Sequence, residues 1–269
     1  MRDAYLIIAH NEFEVLQLLL SALDNTQIDI YIHFDKKVRQ LPELTTKYSN
    51  LYVLDKRVDV RWGHVTQIKT EMLLFATAAK NGPYRFYHLI SGTHLPLKDL
   101  NGLNVYFQSR SGNSVVTGLT KATPYQETLK IHRVNLFLRN YVSRSKLRSD
   151  ISQFLWKSFI AIQRLLHVEI NKSEVFWKSS NWVSLSEEAV QYLVSRKQAI
   201  LRKYRFSLCG DEFFVASELM QSPLRDKVVN EEHYLKCDMQ RANPRTYRLD
   251  ELPALKETGY LFARKFTAK

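Results

Sequence analysis

The run Ala4-Tyr5-Leu6-Ile7-Ile8-Ala9 limits the fold of this chain more than any other stretch. A short, unbroken apolar run of this kind reads as a strand buried on both faces, as in a parallel sheet. The segments after it repeat the theme. Phe13, Leu16, Leu19, Leu20 and Leu23 fall at helical spacing behind Asn11 and Glu14, which together resemble a capping box. Strand-like runs follow at 28–34, 50–54 and 85–90, and a fifth at 114–117. Between the third and fourth, 65–80 carries Ile68, Met72, Leu73, Ala76 and Ala79 on one helical face. Strands alternating with helices predict right-handed βαβ units and a mostly parallel sheet covered on both faces.

Such sheets bind ligands beyond the carboxyl ends of their strands. Here those ends are followed by His10-Asn11, Asp35-Lys36-Lys37 and Ser91-Gly92-Thr93-His94, all polar and able to converge. No Gly-x-Gly-x-x-Gly follows the first strand and no Walker-type loop occurs, which argues against the usual dinucleotide or ATP site. The two cysteines, Cys209 and Cys237, are too few for a disulfide framework or a cysteine zinc site.

The 269 residues carry a formal net charge of +12, which favours a polyanionic partner: nucleic acid, an anionic membrane or a phosphorylated substrate. Between Lys121 and Lys172 stand ten Lys or Arg and three acids. Within that basic stretch 123–141 and 149–169 read as helices. The second places Ile151, Phe154, Leu155, Phe159, Ile162, Leu165 and Leu166 on one face, with Trp156 and Ile160 widening the belt. This is either a helix packed into the core or one lying in a membrane interface. No window has the length and apolarity of a spanning helix and no signal segment precedes the first strand, so a cytoplasmic protein is expected, with peripheral contact to an anionic inner membrane face as an option. Further on, 181–185 reads as a strand running into a helix capped by Ser184 and Glu187, and 210–219 as another helix. No recognised nucleic-acid motif accompanies the positive charge.

The most chemically suggestive stretch is Cys209-Gly210-Asp211-Glu212-Phe213-Phe214. A carboxylate held against aromatic side chains has its ionised form disfavoured, the environment of a general base near neutral pH. Alternatively the two acids are charges that favour the first turn of a helix. None of the twelve Asp residues stands two positions from another, so the chain lacks the Asp-x-Asp pair with which many nucleotide-sugar enzymes hold a divalent ion. A leaving diphosphate then needs fixed cations, and the C-terminal segment is rich in them.

Taken in order, Ala4 to Asn11, Ile32-His33-Phe34-Asp35, Val60-Arg61-Trp62-Gly63, Leu89 to Lys98, Ser179 to Ser186, Gly210 to Phe214 and Leu261-Phe262-Ala263-Arg264-Lys265-Phe266 resemble the core-2/I-branching β-1,6-N-acetylglucosaminyltransferases, a family that includes peptide O-xylosyltransferases (glycosyltransferase family 14). The resemblance implies one GT-A-like α/β domain over 1–269, with a nucleotide-sugar half (1–120), a basic helical insertion (121–175) and an acceptor and catalytic half (176–269). It implies inverting transfer from a UDP-sugar without a metal or other cofactor. Glu212 matches the catalytic base and Lys265 the cation on the diphosphate. Arg241, Arg245 and Arg248 compete for a second cation. Asp35 matches an acidic position near the nucleotide, and His10, Arg61, Trp62, Ser91 and Gly92 complete the donor side. His94, Arg133, Trp182 and Asp211 are the acceptor-side candidates. Trp62 and Trp182 stack on a sugar or base, or simply pack. Animal members carry a membrane anchor and many cysteines; this chain reads as a bacterial version acting on a glycan or lipid-linked glycan in capsule or exopolysaccharide synthesis. N-acetylglucosamine heads the donor options, followed by xylose, glucose and galactose. The alternative of another class is a basic nucleic-acid- or membrane-binding protein without catalysis.

Overall fold

The computed structural model describes residues 1–143, 145–240 and 243–269. Its centre is a seven-stranded sheet of β1 (Asp3–Ala9), β2 (Ile28–Phe34), β3 (Asn50–Val53), β4 (Phe86–Ser91), β5 (Ser114–Val116), β6 (Val183–Ser186) and β7 (Val228–Asn230), in the order β3-β2-β1-β4-β6-β5-β7. All neighbours are parallel except around β6, which runs antiparallel to both β4 and β5. The expected mostly parallel α/β sheet is therefore the architecture of this chain. The buried run of β1 lies in its middle, between β2 and β4, with Ala4, Leu6 and Ile7 fully buried.

The strand order dictates where a ligand can enter. From β1 the chain steps outward to β2 and then β3 before returning across the sheet to β4. With right-handed crossovers, helix α1 (Phe13–Leu23) and helix α2 (Thr66–Ala78) must cover opposite faces. Their chains part company at the carboxyl ends of β1 and β4, which opens a crevice there. A C-terminal segment is laid over that crevice. Phe262–Ala263 pairs with Leu95–Pro96 and with Leu235–Lys236 in a small sheet, and the Phe266 amide donates to the Thr93 carbonyl at 3.0 Å. Glu12 completes the tie: its Oε2 accepts from the Thr267 hydroxyl at 3.1 Å and the Ala268 amide at 3.2 Å.

Local expectations fail where side chains compete for the backbone. The Asn11–Glu14 capping box is absent; α1 starts at Phe13 behind Glu12, a left-handed residue whose carboxylate serves the C-terminus instead. Ser184 lies inside β6, bonded to His88 and Tyr234, and the following helix α3 (Glu187–Ser195) is capped by Ser186. No helix spans 123–141. Short turns at Pro124–Gln126, Glu127–Ile131 and Leu138–Asn140 replace it. The Asn135 amide donates to the carbonyls of Leu129, Lys130 and Arg133, drawing them away from a helical ladder.

That irregular segment decides how α4 (Lys146–Leu165) sits. Its inner face is Ser152, Trp156, Ile160 and Gln163. The Trp156 indole donates to Asn135 Oδ1 at 2.8 Å, and the Gln163 amide exchanges bonds of 2.8 and 2.9 Å with the Val134 backbone. The apolar face points away from the core, against the core-packed one of the two readings of this helix, with Phe154 69% and Leu165 79% exposed. No helix among the described residues is long and apolar enough to cross a membrane.

Candidate active site

A cavity of about 380 Å³ opens where the strand order predicts. Its floor is Ile8, His10 and Asn11 after β1, with Ser91 and Thr93 after β4. One wall is the C-terminal segment Arg264–Thr267 with Thr246; the other comes from the α2 side, through Trp62, Gln67, Glu71, Asn181 and Trp182. His10 is shared with a neighbouring cleft of about 880 Å³ lined by Lys37, Arg39 and Arg61.

The C-terminal wall is cationic. Lys265 has no ion-pair partner among the described residues, and its carbonyl and amide are fixed by Tyr247 and Arg245. Arg264 lies over the Trp182 ring at 4.9 Å, and its Nε has no hydrogen-bond partner. Burial pulls the Arg264 pKa down, with Cys237 opposing. His10 registers the same field. Desolvation by the surrounding walls lowers its pKa, Lys37, Lys265 and Arg264 lower it further, and Asp35 opposes them.

The opposite wall is built on a turn that only its present sequence allows. Cys209 adopts a left-handed conformation and Gly210–Glu212 form a single 3₁₀ turn, ahead of α5 (Phe214–Met220), where one continuous helix was expected. A Cβ on Gly210 would fall on the Ser207 hydroxyl and within 3.1 Å of Ile68. The Cys209 amide donates to the Gly63 carbonyl at 2.9 Å, and Gly63 itself has φ +66°, a conformation that favours glycine. Gln67 joins the two loops: its Oε1 accepts from the Gly63 amide at 2.6 Å and its Nε2 donates to Asp211 Oδ2 at 2.9 Å.

Two carboxyls sit behind this wall. Glu71 is 1% exposed; burial and then the nearby Asp211 push its pKa well above the usual carboxylate range, which the Asn181 amide offsets only in part. Asp211 is pushed up to about 7 by burial, with Glu212 beside it adding to the effect. Both shifts favour the protonated forms, which lowers the negative charge that an anionic ligand would meet. Glu212, one residue on, is a third exposed and outside the cavity lining. Its Oε2 meets Lys130 at 3.1 Å and Lys178 at 3.4 Å, and its carbonyl accepts from the Ser179 amide at 2.9 Å. The residue with the raised pKa is thus Asp211, and Glu212 sits in a cationic setting. The aromatic neighbours Phe213 and Phe214 point into the core instead.

The profile of the Core-2/I-Branching enzymes matches residues 4–256. The chain belongs to this family. A Core-2/I-branching enzyme is a glycosyltransferase, and the crevice between β1 and β4 is its candidate donor site. Among solved structures, mouse xyloside xylosyltransferase 1 in its apo form is similar at 13% identity, with 98% of this chain and 97% of that chain covered and a TM-score of 0.41, a likeness too weak to speak to donor or acceptor. No curated protein matches significantly.

The structure brings His10, Trp62, Ser91, Trp182 and Lys265 to the cavity and Arg61 to the adjoining cleft, paired with Asp59 at 2.7 Å. Asp35 is buried and held by Lys37 at 2.6 Å. Gly92 packs on Ala9, where a Cβ would come within 3.2 Å. Of the second-cation candidates, Arg245 is bonded to Glu251, stacked on Tyr247 and adjacent to cavity-lining Thr246. Arg248 is exposed and paired with Asp250 at 3.3 Å, and Arg241 lies outside the described residues. His94 is fully buried beneath Trp182, and its pKa is driven down by burial and Arg264. Arg133 is buried and engages Val168 and Glu169, so neither His94 nor Arg133 lines the cavity. Sequence reasoning missed Arg264, Gln67, Glu71, Lys130 and Lys178. Glu71 left a trace: it stands three residues after Ile68 and beside Met72, a carboxylate on a helix face that is otherwise buried.

Gly210→Ala lowers stability by about 1–3 kcal/mol, the usual cost of overpacking, and adding Ser207→Ala recovers part of it; denaturant melts of both variants check this. Asp211 prefers its protonated form in the fold, so its stabilising effect is complete below the unfolded carboxylate range and fades as pH rises through about 7. Asp211→Asn therefore raises the melting midpoint by several degrees at pH 8 and by little at pH 5. An offset equal at both pH values would assign the titration elsewhere.

Proposed function

We propose that this enzyme transfers a sugar, N-acetylglucosamine in β linkage, from a UDP-sugar to a hydroxyl of a glycan acceptor, with inversion and without a metal ion. The observation that supports this most is the division of the crevice: Arg264 and Lys265 on the C-terminal wall, and Gln67 and Glu71 on the wall from the other face of the sheet, with the Asp211–Glu212 turn bonded behind it through Gln67. An inverting displacement needs that separation, because the attacking oxygen and the leaving diphosphate occupy opposite sides of the anomeric carbon.

In this reading Glu212 is the base. Both lysines contact its Oε2, which leaves Oε1 to accept the acceptor hydroxyl proton. As the acceptor oxygen bonds to the anomeric carbon, the bond to the β-phosphate oxygen breaks and the electron pair leaves with UDP. Lys265, Arg264 and Arg245 meet the charge that grows on the departing phosphate. Lys130 and Lys178 then favour return of the proton to solvent, restoring the carboxylate. The Asp211 and Glu71 carboxyls, whose protonated forms burial favours, oppose the diphosphate less than exposed carboxylates would. The cleft with Lys37, Arg39 and Arg61 is suited to the nucleotide. Trp62, about half exposed and stacked parallel to Tyr141 with ring centres 5.5 Å apart, offers a face to a sugar ring.

Glu212→Gln reduces kcat by about 10²–10⁴ while UDP affinity measured by calorimetry is retained. Full turnover in that variant would remove Glu212 from the mechanism. Lys265→Ala lowers kcat/KM for the UDP-sugar by about 10²–10³, in the range for removing one fixed electrostatic donor. Chelation with EDTA leaves transfer unchanged. Thermal shifts with UDP-N-acetylglucosamine, UDP-xylose, UDP-glucose and UDP-galactose, followed by turnover assays, rank the donors; a stabilisation that EDTA abolishes would contradict the metal-free reading.

A further inference from the structure

The apolar face that α4 turns away from the core has no role in the chemistry above. Leu147, Ile151, Phe154, Ile162, Leu165 and Leu166 are between 50% and 79% exposed and fall along one side of the helix. At 100° per residue they form a continuous stripe opposite Trp156 and Ile160. Lys146 and Lys157 border one edge, Arg148 the other, and Arg164 stands near the C-terminal end. All four cations are exposed and, among the described residues, none pairs with a carboxylate; Asp150 is the one acid on the helix. A wide apolar stripe flanked by uncompensated cations complements an anionic lipid surface, with rings and aliphatic chains below the headgroups and ammonium groups among the phosphates.

The helix is also wired to the site. Val142 and Ser143, just before it, line the cleft that shares His10 with the donor cavity. On its inner face Trp156 meets Tyr141 edge-on at 5.5 Å, and Tyr141 stacks on Trp62 in the cavity wall. Trp156 and Ile160 share a small core with Leu208 and Cys209, the residues that lead into the Gly210–Glu212 turn.

We propose that α4 lies flat in an anionic bilayer surface with its apolar stripe inward, placing the neighbouring crevice close to the headgroups so that a lipid-borne acceptor can reach it. The acceptor clause rests on the glycosyltransfer reading; the docking does not. The test uses the full chain in flotation assays with vesicles of phosphatidylcholine alone or mixed with phosphatidylglycerol. The chain floats with the mixed vesicles, not with phosphatidylcholine alone, and raising the salt weakens binding. The double variant F154E/L165E loses at least about tenfold in vesicle affinity, as expected when two buried apolar side chains become charged. Its circular dichroism and its transfer to a short, water-soluble acceptor are unchanged, because both positions face outward. Undiminished floating of that variant overturns the proposal. So does a wild-type dimer in light scattering that F154E/L165E converts to monomer with no vesicle binding in either form, which would make the stripe a contact between copies. Full turnover in Glu212→Gln with floating intact would remove the catalytic reading alone, whereas undiminished floating of F154E/L165E with Glu212→Gln inactive would remove the docking alone.

Discussion

The Gln67 amide is the link on which the catalytic half of the crevice depends. It receives the Gly63 amide on its oxygen and gives a proton to Asp211 from its nitrogen, so a single side chain on α2 sets the spacing between the Trp62 loop and the Gly210–Glu212 turn. Neither loop could take its shape independently. Gly63 needs a left-handed backbone, Cys209 spends one, and Gly210 has no room for a side chain. These demands are met because the Cys209 amide and the Gly63 carbonyl also bond directly, closing a ring of contacts between the two loops. Glu, Asn or a shorter residue at position 67 would each forfeit one of the two directions of hydrogen bonding or the reach to make both.

Electrostatic partition follows from this arrangement. The cations Arg264 and Lys265 and the carboxyls Glu71 and Asp211 line or back opposite walls of a crevice of about 380 Å³ without forming an ion pair across it. Burial favours the protonated forms of Glu71 and Asp211, Lys130 and Lys178 compensate Glu212, and Glu12 in the cavity lining is held by the Thr267 hydroxyl and the Ala268 amide.

Much of this was legible in the chain because parallel sheets leave strong marks. The apolar run at Ala4–Ala9 and the polar residues directly after it located both the central strand and the floor of the crevice, and the ordered motifs pointed to Glu212 and Lys265. What could not be read were features that depend on side chains capturing backbone groups from a distance. Asn135 dissolves an expected helix by taking three carbonyls, and Glu12 abandons the start of α1 to hold Thr267. The orientation of α4 was misleading for a related reason. Hydropathy assigns the face with more leucines to the interior, yet the partners available inside were the Asn135 amide and the Val134 backbone, which suit Trp156 and Gln163. Arg264 was overshadowed by its neighbour Lys265, since adjacency in sequence hides that both side chains reach the same cavity.

The tie between Glu12 and Thr267 joins positions 255 residues apart in the chain. The floor of the crevice is encoded near the start of the described sequence and one of its walls near the end. A ribosome making this chain therefore completes most of the sheet, through β7, before the cationic wall has emerged. Until then the crevice is open along that edge and lacks one of its two walls. Binding of any ligand in this crevice is thus a late event for the nascent chain that reports closure of the whole fold, with ligand able to stabilise only molecules in which the two distant ends have met.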